Sequence, residues 1–153
     1  MDNSLLTGLI SSAITAVVTY FATYAKARLE VTLEYAKELH DARLLQYKEL
    51  WKLLKPLAPY SPERPLTPKI VKTTSESMRD WYFDQGGIYL SRESRGPYFA
   101  LKEAMQHIID DPELQKKNDA PLAPQRVKPL VERGRALRKV LSDDIGTRRQ
   151  PFV

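Results

Sequence analysis

The sequence contains no cysteine. Disulfides, thiolate metal sites and thiol catalysis are therefore excluded. Histidine is nearly as scarce: His40 and His107 are the only two, and no spacing pairs them as metal ligands. There is no H-E-x-x-H pattern and no nucleophile–base constellation. Glycine occurs six times, in neither a G-x-G-x-x-G nor a Walker arrangement. Asp110, Asp111 and Glu113 cluster, but at a helix end where solvation accounts for them. Asp80 and Asp84 lie four apart without a partner set. These scarcities predict a non-enzymatic protein with no metal and no cofactor.

A further scarcity is local. Between Asp2 and Lys26 the only ionisable side chains are Tyr20 and Tyr24. About 23 uncharged residues at about 1.5 Å rise span roughly 34 Å, enough for a hydrocarbon core of about 30 Å. Leu5–Ala25 is accordingly expected to form one transmembrane helix. Tyr20, Phe21 and Tyr24 suit the headgroup layer at its end, and Lys26 and Arg28 follow at once. That asymmetry predicts the N-terminus outside and the remainder in the cytoplasm. A cleaved leader would carry Lys or Arg before its apolar run, and this one has none, although Ala25-Lys26-Ala27 resembles a small-residue cleavage site.

Within the run, Thr7, Ser11, Thr15, Thr19 and Thr23 recur every four residues, beside Gly8, Ser12 and Ala16. Residues four apart form a ridge, and small ridges let helices approach closely in lipid. Self-association through this face is one reading. Hydroxyls bonding harmlessly to the carbonyl one turn back is the other.

From Lys26 to Leu54 there is neither glycine nor proline. The spacing predicts one continuous helix from about Ser4 to about Leu54. Lys26–Glu30, Lys37–Asp41 and Glu49–Lys52 are placed to pair along it. Leu29, Leu33, Ala36, His40, Arg43, Tyr47, Leu50 and Leu54 make a stripe that suits either a parallel coil or the protein's own helices. Prolines then stand at 56, 59, 62, 65 and 68. Period three predicts a polyproline II connector.

Thr67-Pro68 reads as a cap and first helical residue. Ile70, Val71, Thr74, Met78, Trp81 and Tyr82 supply one apolar face, and Gly86-Gly87 a stop. Ser91 or Ser94 caps a third helix buried through Tyr98, Leu101, Met105 and Ile108, with Gly96-Pro97 as a kink or later start and Asp111-Pro112 as its end. Glu113–Pro124 reads as a loop. A last helix follows, with Leu130, Val131, Gly134, Leu137, Leu141 and Ile145 inward, ending at Gly146.

The fold class expected is all-α: one N-terminal transmembrane helix continuing into a cytoplasmic antiparallel bundle of about four helices. The divisions are an anchor at 1–25, a stalk and first bundle helix at 26–54, a connector at 55–68, the remaining bundle helices at 69–146 and a tail at 147–153.

The chain's net charge of +5 is concentrated late. Arg126, Lys128, Arg133, Arg135, Arg138, Lys139, Arg148 and Arg149 face only Glu132, Asp143 and Asp144 over 126–149. Such a face suits anionic lipid, an acidic protein partner, or phosphate recognised by arginine forks. The glycine- and arginine-rich connector Asp84–Pro97 offers backbone amides to an anion, but ordinary turn chemistry also accounts for it. The function expected is a single-pass membrane protein whose cytoplasmic bundle mediates self-assembly or partner binding. Membrane lipid and a second copy of the chain are the partners favoured. The alternative is an oligomeric, membrane-disrupting or pore-forming effector triggered by a nucleotide or nucleic acid, a partner class not favoured here.

Overall fold

The computed structural model describes the backbone of residues 3–61 and 65–146, with side chains from residue 19 onward. Helix makes up 82% of it and no strand occurs among the described residues, so the chain is all-α. The α-helices are α1 (Asn3–Leu53), α2 (Pro68–Trp81), α3 (Arg92–Ile109), α4 (Pro112–Gln115) and α5 (Pro124–Asp144). The chain divides into two compact units, Met1–Asp41 and Ala42–Val153.

Unit one is the helical stretch of α1 up to Asp41. From Thr19 onward every side chain in it is exposed, Leu29 at 59% and Leu33 at 60% among them. The Lys26–Glu30 pair closes at 3.8 Å, and Thr32 returns its hydroxyl proton to the Arg28 carbonyl at 2.9 Å. Among the described residues no helix is long and apolar enough to cross a membrane. The run Leu5–Ala25 falls mostly within residues 1–18, whose side chains lie outside the described set. The expected transmembrane helix is thus without structural support.

Unit two holds the core. The 29–54 stripe divides here: its first leucines are exposed, whereas Tyr47, Leu50 and Leu54 are 2%, 0% and 0% exposed. They join Val71 and Met78 of α2, Tyr98, Leu101 and Met105 of α3, and Leu130, Leu137 and Leu141 of α5 in one cluster. Helix α3 packs against both α2 and α5. Burying a Leu or Met side chain stabilises by about 1.5–3 kcal/mol, so this apolar cluster supplies the main cohesion of the unit. Val131 and Ile145, expected inward, are only partly buried.

The start signals act as their chemistry requires. Thr67 accepts the Ile70 amide at 3.3 Å, with Pro68 opening α2. Ser91 accepts the Ser94 amide at 3.0 Å and caps α3, which continues through Pro97 without a second start. Gly146 adopts φ +72°, the left-handed turn that closes α5.

Two expectations are corrected. The first prolines do not form a polyproline II strand. Lys55–Leu57 is a 3₁₀ turn, and Leu57, Ala58 and Ser61 each donate to the carbonyl three residues back. A 3₁₀ helix also has three residues per turn, so period three fits it equally well. Pro62 lies outside the described residues. The segment after Asp111 is not all loop either. Asp111 accepts the Glu113 and Leu114 amides at 3.0 and 3.4 Å and starts α4, with Pro112 at its first turn. The proline that ends one helix pre-sets φ for the next. Beyond α4, backbone bonds Leu122 N–H to Leu66 O (2.8 Å) and Lys69 N–H to Asn118 O (3.1 Å) tie this connection to the entry of α2.

The exit of α2 is not a simple glycine stop. It passes into a π-turn, Tyr82–Gly86, and then a 3₁₀ turn, Gly87–Tyr89. Gly86 lies against the Trp81 indole, where a Cβ would stand 2.0 Å from Cε2. Gly96, by contrast, has nothing within 4 Å of that position and sits inside α3. Gly86→Ala is therefore expected to destabilise the full chain by about 1–3 kcal/mol through overpacking. Gly96→Ala should stabilise it by about 0.5–1 kcal/mol through helix entropy. Urea unfolding followed by circular dichroism checks both signs.

Candidate functional site

The densest polar constellation in unit two gathers around Tyr47, whose ring is buried in the core. Its hydroxyl donates to Asp144 Oδ2 at 2.8 Å, with the Tyr89 carbonyl a longer acceptor at 3.3 Å. It accepts the Ser91 amide at 3.1 Å, and Ser94 Oγ lies 3.2 Å away. Ser91 Oγ donates to the same Asp144 oxygen at 2.6 Å, and Arg43 Nε donates to the Tyr89 carbonyl at 3.0 Å. One phenol thus joins α1, the 3₁₀ turn, the cap of α3 and the end of α5. A carboxylate at the C-terminus of α5 is poorly placed for that helix, but it lies at the N-terminus of α3, where negative charge is favoured. This arrangement is a clasp. Its Tyr47 and Ser91 hydroxyls are both engaged in these bonds, the latter also accepting the Ser94 amide at 3.0 Å.

A second pair has the elements of a serine–lysine dyad. Lys102 Nζ lies 2.6 Å from Ser75 Oγ and 2.6 Å from the Ser75 carbonyl oxygen. Burial lowers the Lys102 pKa, and the nearby Arg79 charge lowers it further, while Asp80 and Glu76 oppose the shift. Ser75 is only 3% exposed, however, so its hydroxyl cannot meet a substrate in this conformation. The contact ties α3 to α2.

The basic residues of α5 do not form one free face. Arg126 pairs with Asp111 at 2.8 Å, and Lys128 with Glu132 at 4.0 Å. Arg133 Nη1 donates to the Ala100 carbonyl at 2.9 Å, and Arg138 Nη1 to the Leu54 carbonyl at 3.1 Å. Burial lowers the Arg138 pKa from its usual value. Arg135 and Lys139 are exposed, and Arg148 and Arg149 lie outside the described residues. Much of the positive charge read as a ligand surface is therefore engaged within the chain. Asp111 is held below the usual carboxylate range. Desolvation pushes it up, but the Glu113 and Leu114 amides and the Arg126 charge together outweigh that effect.

Of the helix-face residues in the uncharged run, Thr19 and Thr23 are exposed. The side chains of Thr7, Gly8, Ser11, Ser12, Thr15 and Ala16 lie outside the described set. Tyr20 and Tyr24 are exposed, as are Lys26 and Arg28, and the Tyr20 ring meets Phe21 edge-on at 5.8 Å. No group of three or more potential metal-ligating side chains occurs among the described residues. The connector Asp84–Pro97 contributes its Tyr89 carbonyl, Ser91 and Ser94 to the Tyr47 clasp. Residues 47 and 144 carried no sequence signal for this, because their partners are brought together only by the fold. No family model, curated protein or solved structure matches the chain.

Buried phenols give the core a pH dependence. Tyr98 donates to the Met78 carbonyl at 2.7 Å. Burial pushes its hydroxyl well above the usual value of 10.0, and the neighbouring Tyr82 adds to the shift. A folded-state pKa raised in this way contributes stability that is complete below pH 10 and is lost as pH rises towards the folded value. Urea midpoints of the full chain should therefore fall above pH 10. Lys102, whose pKa is lowered, works in the opposite sense, so the comparison with Tyr98→Phe isolates the phenol. That variant should lose about 1 kcal/mol at neutral pH and show a shallower alkaline decline. Equal alkaline slopes for the two chains would remove Tyr98 as the cause.

Proposed function

We propose that the chain is a single-pass, membrane-anchored, non-enzymatic protein, with residues 5–25 in lipid, the N-terminus outside and the helical unit from Ala42 in the cytoplasm. That unit acts by binding a protein partner or further copies of the chain. The supporting observation is the run itself: between Asp2 and Lys26 the only ionisable side chains are Tyr20 and Tyr24, and about 20 such residues in a helix are long enough to cross a hydrocarbon core. Tyr20, Tyr24, Lys26 and Arg28 are exposed where an interface would need them.

Exposed apolar side chains give the binding reading its surface. A groove of about 660 Å³ between α1 and α5 is lined by Leu44, Leu45, Trp51, Leu141 and Ile145. Leu45 is 59% exposed and Trp51 44%. Such surface favours contact with protein over turnover of a small substrate. The anion-triggered effector reading draws on the α5 cations, most of which already have partners inside the chain.

The full chain expressed in bacteria should sediment with membranes and resist carbonate extraction. Ile10→Lys combined with Ile14→Lys should move it to the supernatant. Because the sequence lacks cysteine, single cysteines report sidedness directly. Asn3→Cys should react with an impermeant maleimide on intact spheroplasts, and Lys128→Cys only after lysis. Wild-type protein in the supernatant would overturn the anchoring, and the reverse labelling would overturn the orientation.

A further inference from the structure

The π-turn after α2 borders a cavity of about 340 Å³. Gln46 forms part of its wall and is only 8% exposed. Its Nε2 donates to Gln85 Oε1 at 3.3 Å, while its Oε1 is buried and has no partner. An unsatisfied buried acceptor is unfavourable, and a guest that donates to it relieves that penalty. Asp84 also lines the cavity, is exposed, and makes no ion pair among the described residues. The apolar side is Tyr82, Phe83 and Ile88. Phe83 is 78% exposed and Ile88 81%, and the Tyr82 and Phe83 rings meet nearly at right angles, 87°, with centroids 5.3 Å apart.

These features select for the same guest. The free carbonyl needs an N–H donor, the carboxylate needs a positive charge, the ring faces attract a cation, and the exposed Phe83 and Ile88 fit an aliphatic stem. A π-turn is itself a rare backbone state that recurs at functional sites. We propose that this cavity is a binding site for the cationic head of a lysine- or arginine-type side chain, an alkylammonium or guanidinium group presented by a basic peptide segment. Asp84 supplies the charge, Gln46 Oε1 accepts the N–H, and the Tyr82 and Phe83 rings flank the stem. Gln85 is exposed and held to Gln46 only by the 3.3 Å bond. Its side chain swings aside to admit the guest. The site does not depend on membrane anchoring; it shares Tyr89, which also lines the cavity, with the Tyr47 clasp.

The test is titration of the isotope-labelled full chain in detergent micelles, observed through amide NMR signals. The probes are n-butylammonium, ethylguanidinium, tetramethylammonium and neutral n-butanol. The first two should give saturable shifts in the Gln46 and Gln85 side-chain amides and in backbone amides 82–89. Tetramethylammonium has charge but no N–H, and butanol has the stem but no charge, so each should bind about tenfold more weakly or not at all. Asp84→Asn should weaken butylammonium binding by about tenfold. Gln46→Leu should abolish the preference over tetramethylammonium while the other amide signals keep their native positions. The proposal is overturned by the absence of saturable shifts with both cations, by equal binding of butanol or tetramethylammonium, or by an Asp84→Asn chain that binds as wild type.

Discussion

The bond between the Tyr47 hydroxyl and Asp144 is the constraint on which the folded unit depends. Apolar burial gives that unit its cohesion, but leucine against leucine is tolerant of sliding and rotation. A phenol buried among Leu50, Leu54 and Leu141 is not tolerant, because its oxygen must find partners wherever the helices settle. Here it finds Asp144, the Ser91 amide and Ser94, and Asp144 in turn holds the cap of α3. The register of α1 against α3 and α5 is thereby specified by hydrogen bonds and stabilised by the surrounding hydrocarbon. Burial raises the Tyr47 pKa; Ser94 and the Ser91 amide lower it and Asp144 raises it, so the hydroxyl remains a proton donor at neutral pH.

The same logic explains the α5 arginines. An arginine on a helix near a packed neighbour has a long apolar stem and a fork of donors. Where the end of another helix lies within reach, its carbonyls have spare acceptor capacity for such a fork. Arg138 adds a second bond to the Leu54 carbonyl just beyond α1, which already accepts the Leu57 amide. Close approach is helped by Gly134, where a Cβ would stand 3.2 Å from Leu57. The positive charge of α5 therefore has a structural use before any ligand is considered.

Local chemistry was legible in the chain, and long-range chemistry was not. Thr67-Pro68 and Ser91 announce helix starts because a cap bonds only a few residues away. The spacing of Val71, Met78, Tyr98, Leu101 and Met105 identifies buried faces because helical period is a local property. The proline triplets misled because polyproline II and 3₁₀ helices share a period, and only the turn bonds of Leu57, Ala58 and Ser61 distinguish them. Asp111-Pro112 was legible as an end but not as a beginning. The Tyr47 clasp spans 97 residues between the phenol and Asp144, and no pattern in either segment marks the other. The orphaned Gln46 carbonyl was equally invisible, since a glutamine in a helix shows nothing of what will cover it.

The clasp is tested most directly by a double-mutant cycle at its centre. Tyr47→Phe, Asp144→Ala and the double variant would be compared with the native chain by urea unfolding. A bond between a buried phenol and a partly buried carboxylate should give a coupling energy of about 1–3 kcal/mol, with the double variant less destabilised than the sum of the singles. Strict additivity, with each single variant within about 0.5 kcal/mol of the native chain, would contradict the central role assigned to this bond.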